Sequence, residues 1–252
     1  MGELLPHLRE QSEARQIGRI RMGMKAETST GKTYPKSIDK FRLTSQDRFV
    51  IEAAAKIYGG EVKQWDKGWE VFVTEPEIRF CIIGDLKFSQ HMEHWQGALC
   101  TRRCNTVRET INDVPCICNA EGQTLCKATT RVSVVLPDLP DIGYWRIDSR
   151  GFYAGTEFIG SMVMLDQVQK QTGRQITARM ALEHRESTTE VVGKDGKPTT
   201  EKHKFIVPVV RVSETFGKLL EITENAKREP SAPIRSVNSK TGEVTEYVPV
   251  ED

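Results

Sequence analysis

The sequence predicts an α+β fold built on a mostly antiparallel sheet. Three observations lead to this prediction. Short segments of alternating apolar and polar residues recur along the chain, isolated stretches have helical spacing of apolar residues, and the strands and helices do not alternate regularly. We expect a flexible lead-in over residues 1–16, a single α+β body over 17–225 with an insertion around 100–126, and a mobile tail over 226–252, where Pro, Ser, Lys and Glu dominate.

The first half of the body is predicted to contain several short strands and one helix. In chain order these are a strand over residues 17–24, a polar loop over 25–37, a helix capped by Thr44 or Ser45 and ended by Gly59–Gly60, hairpin strands over 62–65 and 69–73 around an Asp66-Lys67-Gly68 turn, and a buried strand over 78–84.

The second half is predicted to contain two strands, a helix and a long β-hairpin. The elements are strands over 128–137 and 144–148, a helix that begins after a Thr156 cap and ends before Gly173, hairpin strands over 176–192 and 204–212 with Asp195-Gly196 at the tip, and a short helix near Ser213.

Composition limits the classes of function. Hydrophobic residues make up 38% of the 252 positions and charged residues 28%, as in ordinary soluble proteins. The 36 basic and 35 acidic residues give a net charge of +1, which does not support a protein that holds duplex DNA mainly through phosphate contacts. We expect no membrane association, because no stretch approaches the roughly 18 apolar residues of a membrane span and no signal peptide is visible.

Five of the six cysteines lie between positions 100 and 126. Without export the cell keeps thiols reduced, so clustered cysteines indicate metal ligands more often than disulfides. The neighbouring residues are polar, which does not match buried thiols in an apolar core, the alternative interpretation. We therefore predict a closed structural zinc site held by Cys104, Cys116, Cys118 and Cys126.

The choice of four ligands leaves alternatives open. Cys-x-Cys is tighter than the usual Cys-x2-Cys, so the spacing is not that of a standard zinc finger. Cys100 follows Ala98-Leu99 and is treated as the spare cysteine, although it could replace one of the four. His91 and His94 could also serve as ligands, but we expect them on a short amphipathic turn that ends at Trp95.

Signatures of catalysis are missing from the sequence, and we expect that the protein is not an enzyme. The segment STGKT resembles a phosphate-binding loop, but Ala26 stands where that motif needs glycine, and Tyr34-Pro35 follows it. Neither H-E-x-x-H nor G-x-S-x-G occurs.

Other side chains allow two interpretations. The pairs Arg19/Arg21 and Arg102/Arg103 are expected on solvated faces, or in contact with an acidic partner or DNA. Six aromatic residues could stack bases on a sheet but more often fill cores and hairpins: Trp65, Trp69, Phe72, Trp145, Phe152 and Tyr153.

Several segments together resemble a known family. They are IGRIRMGMK and GKTYPKSIDKFRLTS near the N-terminus, LCTRRCN and PCIC in the cysteine region, and CKATTRVSVVLPDLPDIGYWRIDSRGFYAGTEF after it. Their order and spacing are similar to those of the recombination directionality factors that accompany large serine integrases of actinobacterial phages. Relatives in this family are often labelled loosely as hydrolases or metal-binding proteins. The resemblance spans about residues 17–212.

The resemblance implies a role in phage excision within the bacterial cytoplasm. Such a factor binds the large serine integrase on attachment-site DNA, without sequence-specific DNA binding of its own, and switches it from integration to excision. The family's cysteine-rich segment agrees with the zinc prediction. The hairpin over 176–212 and the arginines near the cysteines are candidate docking elements. The alternatives are a nucleic-acid-binding auxiliary of phage replication and a zinc-dependent hydrolase.

Overall fold

A computed structural model describes most of the chain between residues 14 and 247. The described residues are 14–66, 68–84, 87–97, 99–116, 126–192, 198–213, 215, 217–218, 234–237 and 244–247. Lys67 of the predicted hairpin turn, Cys118, the Asp195-Gly196 tip, and nearly all of the lead-in, the Ser213 helix and the tail fall outside them. The predicted domain boundaries therefore stay predictions.

The described part is mostly β-structure with two α-helices, and its sheets are mostly antiparallel, as predicted. The strands are β1 Gln16–Glu27, β2 Thr33–Ser45, β3 Val62–Trp65, β4 Gly68–Phe72, β5 Glu77–Cys81, β6 Phe88–Gln96, β7 Leu99–Cys104, β8 Arg108–Glu109, β9 Val114–Pro115, β10 Lys127–Val134, β11 Tyr144–Ser149, β12 Thr177–Val192, β13 Pro198–Val212, β14 Ile234–Val237 and β15 Val244–Tyr247. The helices are α1 Arg48–Tyr58 and α2 Ile159–Thr172, and a π-helical turn, Ala154–Phe158, precedes α2.

Ten strands form the larger sheet in the order β3-β4-β2-β1-β11-β10-β6-β7-β8-β9. Neighbours in it are antiparallel except β1 and β11, which run parallel. A second sheet has the order β13-β12-β5, and β14 pairs with β15. The longest ladder of the second sheet is the predicted hairpin, in which residues 178–192 pair with residues 198–212.

One hydrophobic cluster joins both sheets and both helices. It contains buried side chains from β1, β2, α1, β5, α2 and β12, such as Ile20, Phe41, Ile51, Phe80, Met162 and Met180. Gly18 lets β1 pass over the fully buried Trp145, because a Cβ at this position would lie 2.6 Å from the indole ring and 2.5 Å from the Thr44 carbonyl oxygen. No helix in the described part is long and apolar enough to span a membrane.

Helix α1 begins later than predicted. Asp47, not Thr44 or Ser45, caps it by accepting a hydrogen bond from the Phe49 amide at 3.0 Å. Strand β2 runs through Ser45, whose hydroxyl donates to the Ile17 carbonyl at 2.7 Å, so that hydroxyl holds two strands together. The predicted end is confirmed: Gly59 follows Tyr58 with φ of 72°.

Three other local predictions are wrong. The polar loop over 25–37 is too long, because Thr33–Ser37 pairs with β1 as the start of β2. Thr156 does not cap a helix but lies inside the π-helical turn, and its hydroxyl donates to the Phe152 carbonyl. His91 and His94 lie on strand β6, not on a turn. Gly173 ends α2 in the left-handed conformation, as predicted.

Candidate functional site

Three of the four predicted zinc ligands lie around one cavity. Cys104 ends β7, Cys116 directly follows β9, and Cys126 directly precedes β10. All three are buried and line a cavity of about 150 Å³. The sulfur atoms of Cys104 and Cys116 are 3.4 Å apart. Cys118 lies outside the described residues, within which no group of three or more His, Cys, Asp or Glu side chains is arranged to hold a metal ion.

Local hydrogen bonds bring Cys104 and Cys116 together. The Asn105 side-chain oxygen accepts hydrogen bonds from the amides of Val107 and Arg108 at 3.1 and 2.8 Å, which turns the chain directly after Cys104. The Cys116 amide donates to the Val107 carbonyl at 3.0 Å. The two cysteines are therefore held at the same side of a small turn, although twelve positions separate them.

Glu109 is a buried carboxylate beside the cysteines that the sequence analysis did not identify. It accepts hydrogen bonds from the amides of Ile111, Asn112 and Arg103 and from the Asn112 side chain, at 2.8 to 3.2 Å. Burial alone raises the pKa of Glu109, but these donors outweigh it and lower the pKa to about 2. The carboxylate is thus a fixed anion that closes the turn over residues 109–112.

Arg102 also lines the cavity, and it places a positive group beside the cysteines. Its Nη1 atom is buried, and no hydrogen-bond partner for it exists among the described residues. A guanidinium group near thiols favours the thiolate form, the form that binds metals. Arg102 is therefore partly exposed, with one end of its guanidinium group buried, rather than fully solvated.

The alternative ligands lie elsewhere. The register of the β6–β7 pairing changes between His94 and Trp95. Cys100 lies on the far side of this irregularity, and its thiol donates a hydrogen bond to the Arg102 carbonyl at 3.3 Å. His94 Nδ1 is 2.9 Å from the Thr101 hydroxyl. The Nδ1 atom of His91 is buried without a hydrogen-bond partner in the described part of the chain. Neither histidine nor Cys100 lines the cysteine cavity.

A buried ion network attaches the cysteine-bearing strands to the rest of the sheet. Glu93 on β6 has no exposed side-chain surface and receives two hydrogen bonds from Arg131 on β10, at 2.8 and 2.7 Å. Arg103 on β7 donates at 2.7 Å and the Trp95 indole at 2.9 Å. Burial raises the pKa of Glu93, but these donors outweigh it and lower the pKa to about 2.

The long hairpin leaves the body beyond the strand that supports it. Strand β5 pairs with β12 only from Thr177 to Ala181, so the rest of the hairpin has no third strand among the described residues. Its inner part is anchored by Phe205, whose ring stacks on Tyr153 at a centroid distance of 5.0 Å. Arg185 lies over the same Tyr153 ring and contacts Glu157 at 2.6 Å.

Most of the aromatic residues considered for base stacking have covered rings. Arg21 and Arg42 lie over Trp65, Arg42 over Phe72, Arg48 over Trp69, and Phe205 with Arg185 against Tyr153, while Trp145 is fully buried. Phe152 alone of the six is largely exposed, at 75%. These contacts favour the interpretation of the aromatic residues as packing groups.

Comparison with known proteins identifies a family. A family model described as Gp3-like, recombination directionality factor-like, matches residues 17–213. The match runs from the second residue of β1 through β13 and includes the cysteine cavity and the hairpin. No curated protein matches the chain. No solved structure matches it either.

Proposed function

The chain belongs to the Gp3-like, recombination directionality factor-like family, and we propose that it binds a large serine integrase and switches it from integration to excision. The family consists of regulatory auxiliary proteins rather than enzymes, and membership implies interaction with a recombinase. The observation that carries the proposal is the family match over residues 17–213, most of the chain. The proposed site of action is integrase bound to attachment-site DNA in the cytoplasm of a bacterial host.

A switch of this kind needs only differential binding. The protein must bind the integrase arrangement that leads to excision more tightly than the one that leads to integration, which is a coupling free energy between two states. A tenfold preference corresponds to about 1.4 kcal/mol, within reach of a modest protein interface. No chemical step by this protein is required.

We further propose that Cys104, Cys116, Cys118 and Cys126 hold a structural zinc ion. One distance supports this proposal: in a tetrahedral site with zinc–sulfur bonds of about 2.3 Å, neighbouring sulfurs lie roughly 3.8 Å apart, and the Cys104 and Cys116 sulfurs are 3.4 Å apart. Cys126 lines the same cavity, but the described residues contain no group of three such side chains arranged to hold a metal ion, so binding would have to move Cys126 closer to the other two. Arg102 would offset part of the net negative charge that four thiolates leave around a zinc ion. When bound, the ion would cross-link the segments after β7, after β9 and before β10.

The test is an in vitro recombination assay with the integrase encoded beside this protein. Purified integrase is incubated with hybrid-site or parental-site DNA, with and without the protein. We expect excision of the hybrid sites only when the protein is present, together with inhibited integration. Gel shifts with attachment-site DNA alone should show no sequence-specific complex. An unchanged product distribution at saturating protein would refute the proposal.

A further inference from the structure

A large groove lies between the ten-stranded sheet and the long hairpin. Its volume is about 830 Å³. Strands β1, β10 and β11 contribute its floor, the inner part of β13 forms one wall, and residues before α2 lie at its end. Neither the cysteine cavity nor the zinc proposal involves this groove.

Arginine side chains dominate the charge of the groove. The groove is lined by two carboxylates, Glu93 and Asp148, and by five arginines. The arginines are Arg19, Arg21, Arg131, Arg146 and Arg150. The groove therefore has an excess of three positive charges in a chain whose net charge is +1. Such a concentration attracts an anionic partner and is disfavoured without one.

The two carboxylates are already shared among several guanidinium groups. Glu93 is enclosed by Arg131 and Arg103. Asp148 lies 2.9 Å from Arg146 and 3.5 Å from each of Arg19 and Arg131. Little negative charge in the groove is left for the remaining arginines.

Arg21 and Arg150 are the groove arginines that form no ion pair among the described residues. Arg21 donates to the Thr44 hydroxyl at 3.1 Å and lies over Trp65, and Arg150 is exposed. Burial, then repulsion by Arg19 and Arg42, lowers the pKa of Arg21. Burial and repulsion by Arg146 likewise lower the pKa of Arg19. An added carboxylate or phosphate would relieve this repulsion.

The shape and lining of the groove favour a peptide over a nucleic acid. The hairpin wall presents the partly exposed apolar side chains of Phe205 and Ile206, and the exposed Phe152 lies at the end, whereas Val207 and Pro208 are buried. Of the aromatic rings that line the groove, Tyr153 and Phe205 stack on each other, which leaves Trp95 and Phe152, 37% and 75% exposed, for stacking with bases. A single strand of nucleic acid gains much of its sequence-independent affinity from such stacking. Guanidinium groups beside an apolar wall suit carboxylate and apolar side chains of one peptide.

We propose that this groove binds an acidic segment of the recombinase, with its carboxylates on Arg19, Arg21 and Arg150 and its apolar side chains against the hairpin wall. The identity of the partner rests on the proposed function, whereas the chemistry of the ligand rests on the groove. Phosphates could contact the same arginines, and the experiment includes them as a competing outcome.

The first measurement uses small probes. A fluorescein-labelled peptide in which Asp and Glu alternate with Leu and Phe is titrated with the full chain, and fluorescence anisotropy is recorded. We expect binding that weakens with salt. A peptide with Lys at the acidic positions and labelled oligothymidine should bind at least about tenfold more weakly. Tighter binding of oligothymidine than of the acidic peptide would overturn the proposal.

The second measurement uses variants with matched charge. The double variant Arg21→Glu/Arg150→Glu should weaken binding of the acidic peptide, and of the integrase on attachment-site DNA, by about tenfold or more. Lys56→Glu/Arg174→Glu removes the same charge from exposed positions outside the groove and should bind like wild type. Arg150→Ala, a change at an exposed position, should reproduce part of the loss if the double variant folds poorly.

The two proposals fail separately. If the wild type redirects recombination but the groove variants bind integrase as tightly as the control variant, the groove proposal is wrong and the proposed function stands. If the wild type leaves recombination unchanged, the proposed function is wrong, and the peptide titration still decides whether the groove takes an acidic ligand.

Discussion

The region around α1 and the cysteine arm, defined as residues 88–116, are held together by different forces. Helix α1 buries one apolar face, Val50, Ile51, Ala54 and Tyr58, against the sheet. By contrast, no described residue between Ile82 and Val132 belongs to the hydrophobic cluster. Large apolar side chains of the arm, such as Leu99 and Val107, are about 70% exposed, at 67% and 72%.

The arm is held by polar groups instead. Glu93 joins the arm to β10 through Arg131 and joins β6 to β7 inside the arm through Arg103. Glu109 closes the last turn of the arm, and Cys104 and Cys116 meet in its interior. Apolar burial responds weakly to pH and to chelators, whereas carboxylates and thiolates respond strongly. We therefore expect the arm to unfold under conditions that leave the α1 region folded, and this expectation can be tested for each region separately.

The largest expected effect is loss of metal from the arm. Under the zinc proposal, Cys116→Ser should release zinc and unfold residues 88–116, because binding of structural zinc supplies apparent free energies of about 10–16 kcal/mol in zinc-finger peptides. Elemental analysis gives the metal content, and hydrogen exchange should show loss of protection in the arm but not in α1.

Cys100→Ser is the matched control, because Cys100 is a cysteine of the same arm that does not line the cavity. It should keep both the metal and the exchange protection of wild type. Protein that contains no zinc when purified from zinc-supplemented medium, or a Cys116→Ser variant with unchanged metal content, would contradict the assignment.

The second effect concerns the α1 region. Ile51 is completely buried, so Ile51→Ala should lower the free energy of unfolding by about 2–5 kcal/mol through lost burial and a cavity. Chemical denaturation measures this loss, which should not depend on pH or chelator. Ile57→Ala removes the same atoms from a side chain that is 44% exposed on the same helix and should cost much less. Equal losses in the two variants would contradict the assignment of Ile51 to the core.

The same contrast explains how much of the structure the sequence could predict. The boundaries of elements that have an apolar face or end at a glycine were predicted to within a few residues. Examples are the ends of α1 at Gly59 and of α2 at Gly173. Strands β6 and β7, FSQHMEHWQ and LCTRRC, were missed because they carry polar residues on both faces and show no apolar alternation.

The candidate site could be predicted in part for a related reason. Clustered cysteines are easily recognised in a sequence, so Cys104, Cys116 and Cys126 were predicted as metal ligands from the sequence alone. The structure places all three around one cavity. The partners of Glu93 could not be found, because Arg131 is 38 positions away and a lone glutamate resembles any surface residue. Asp47 was not predicted as the helix cap because serine is as common a capping residue as aspartate. The Ser45 hydroxyl instead donates a hydrogen bond to Ile17 on another strand, so it does not cap the helix.

The smallest effect is the acid sensitivity of the arm, which Glu93 should dominate. Its pKa of about 2 in the folded protein lies below the usual 4.5, so its contribution to stability is complete above pH 4.5 and is lost as the pH falls toward 2. Between pH 5 and pH 3 this amounts to about 2 kcal/mol. Glu109, whose pKa is also about 2, acts in the same direction.

Glu93→Gln separates this contribution from general acid unfolding. The amide keeps the shape but not the charge that Arg131 and Arg103 require, so the variant should be roughly 2–3 kcal/mol less stable at pH 7. It should lose less additional stability than wild type between pH 5 and pH 3, because the group that titrates there is gone. Denaturant melts at the two pH values give both numbers. Parallel losses in wild type and variant would show that Glu93 does not set the acid limit, and that the arm depends on its cysteines and Glu109 instead.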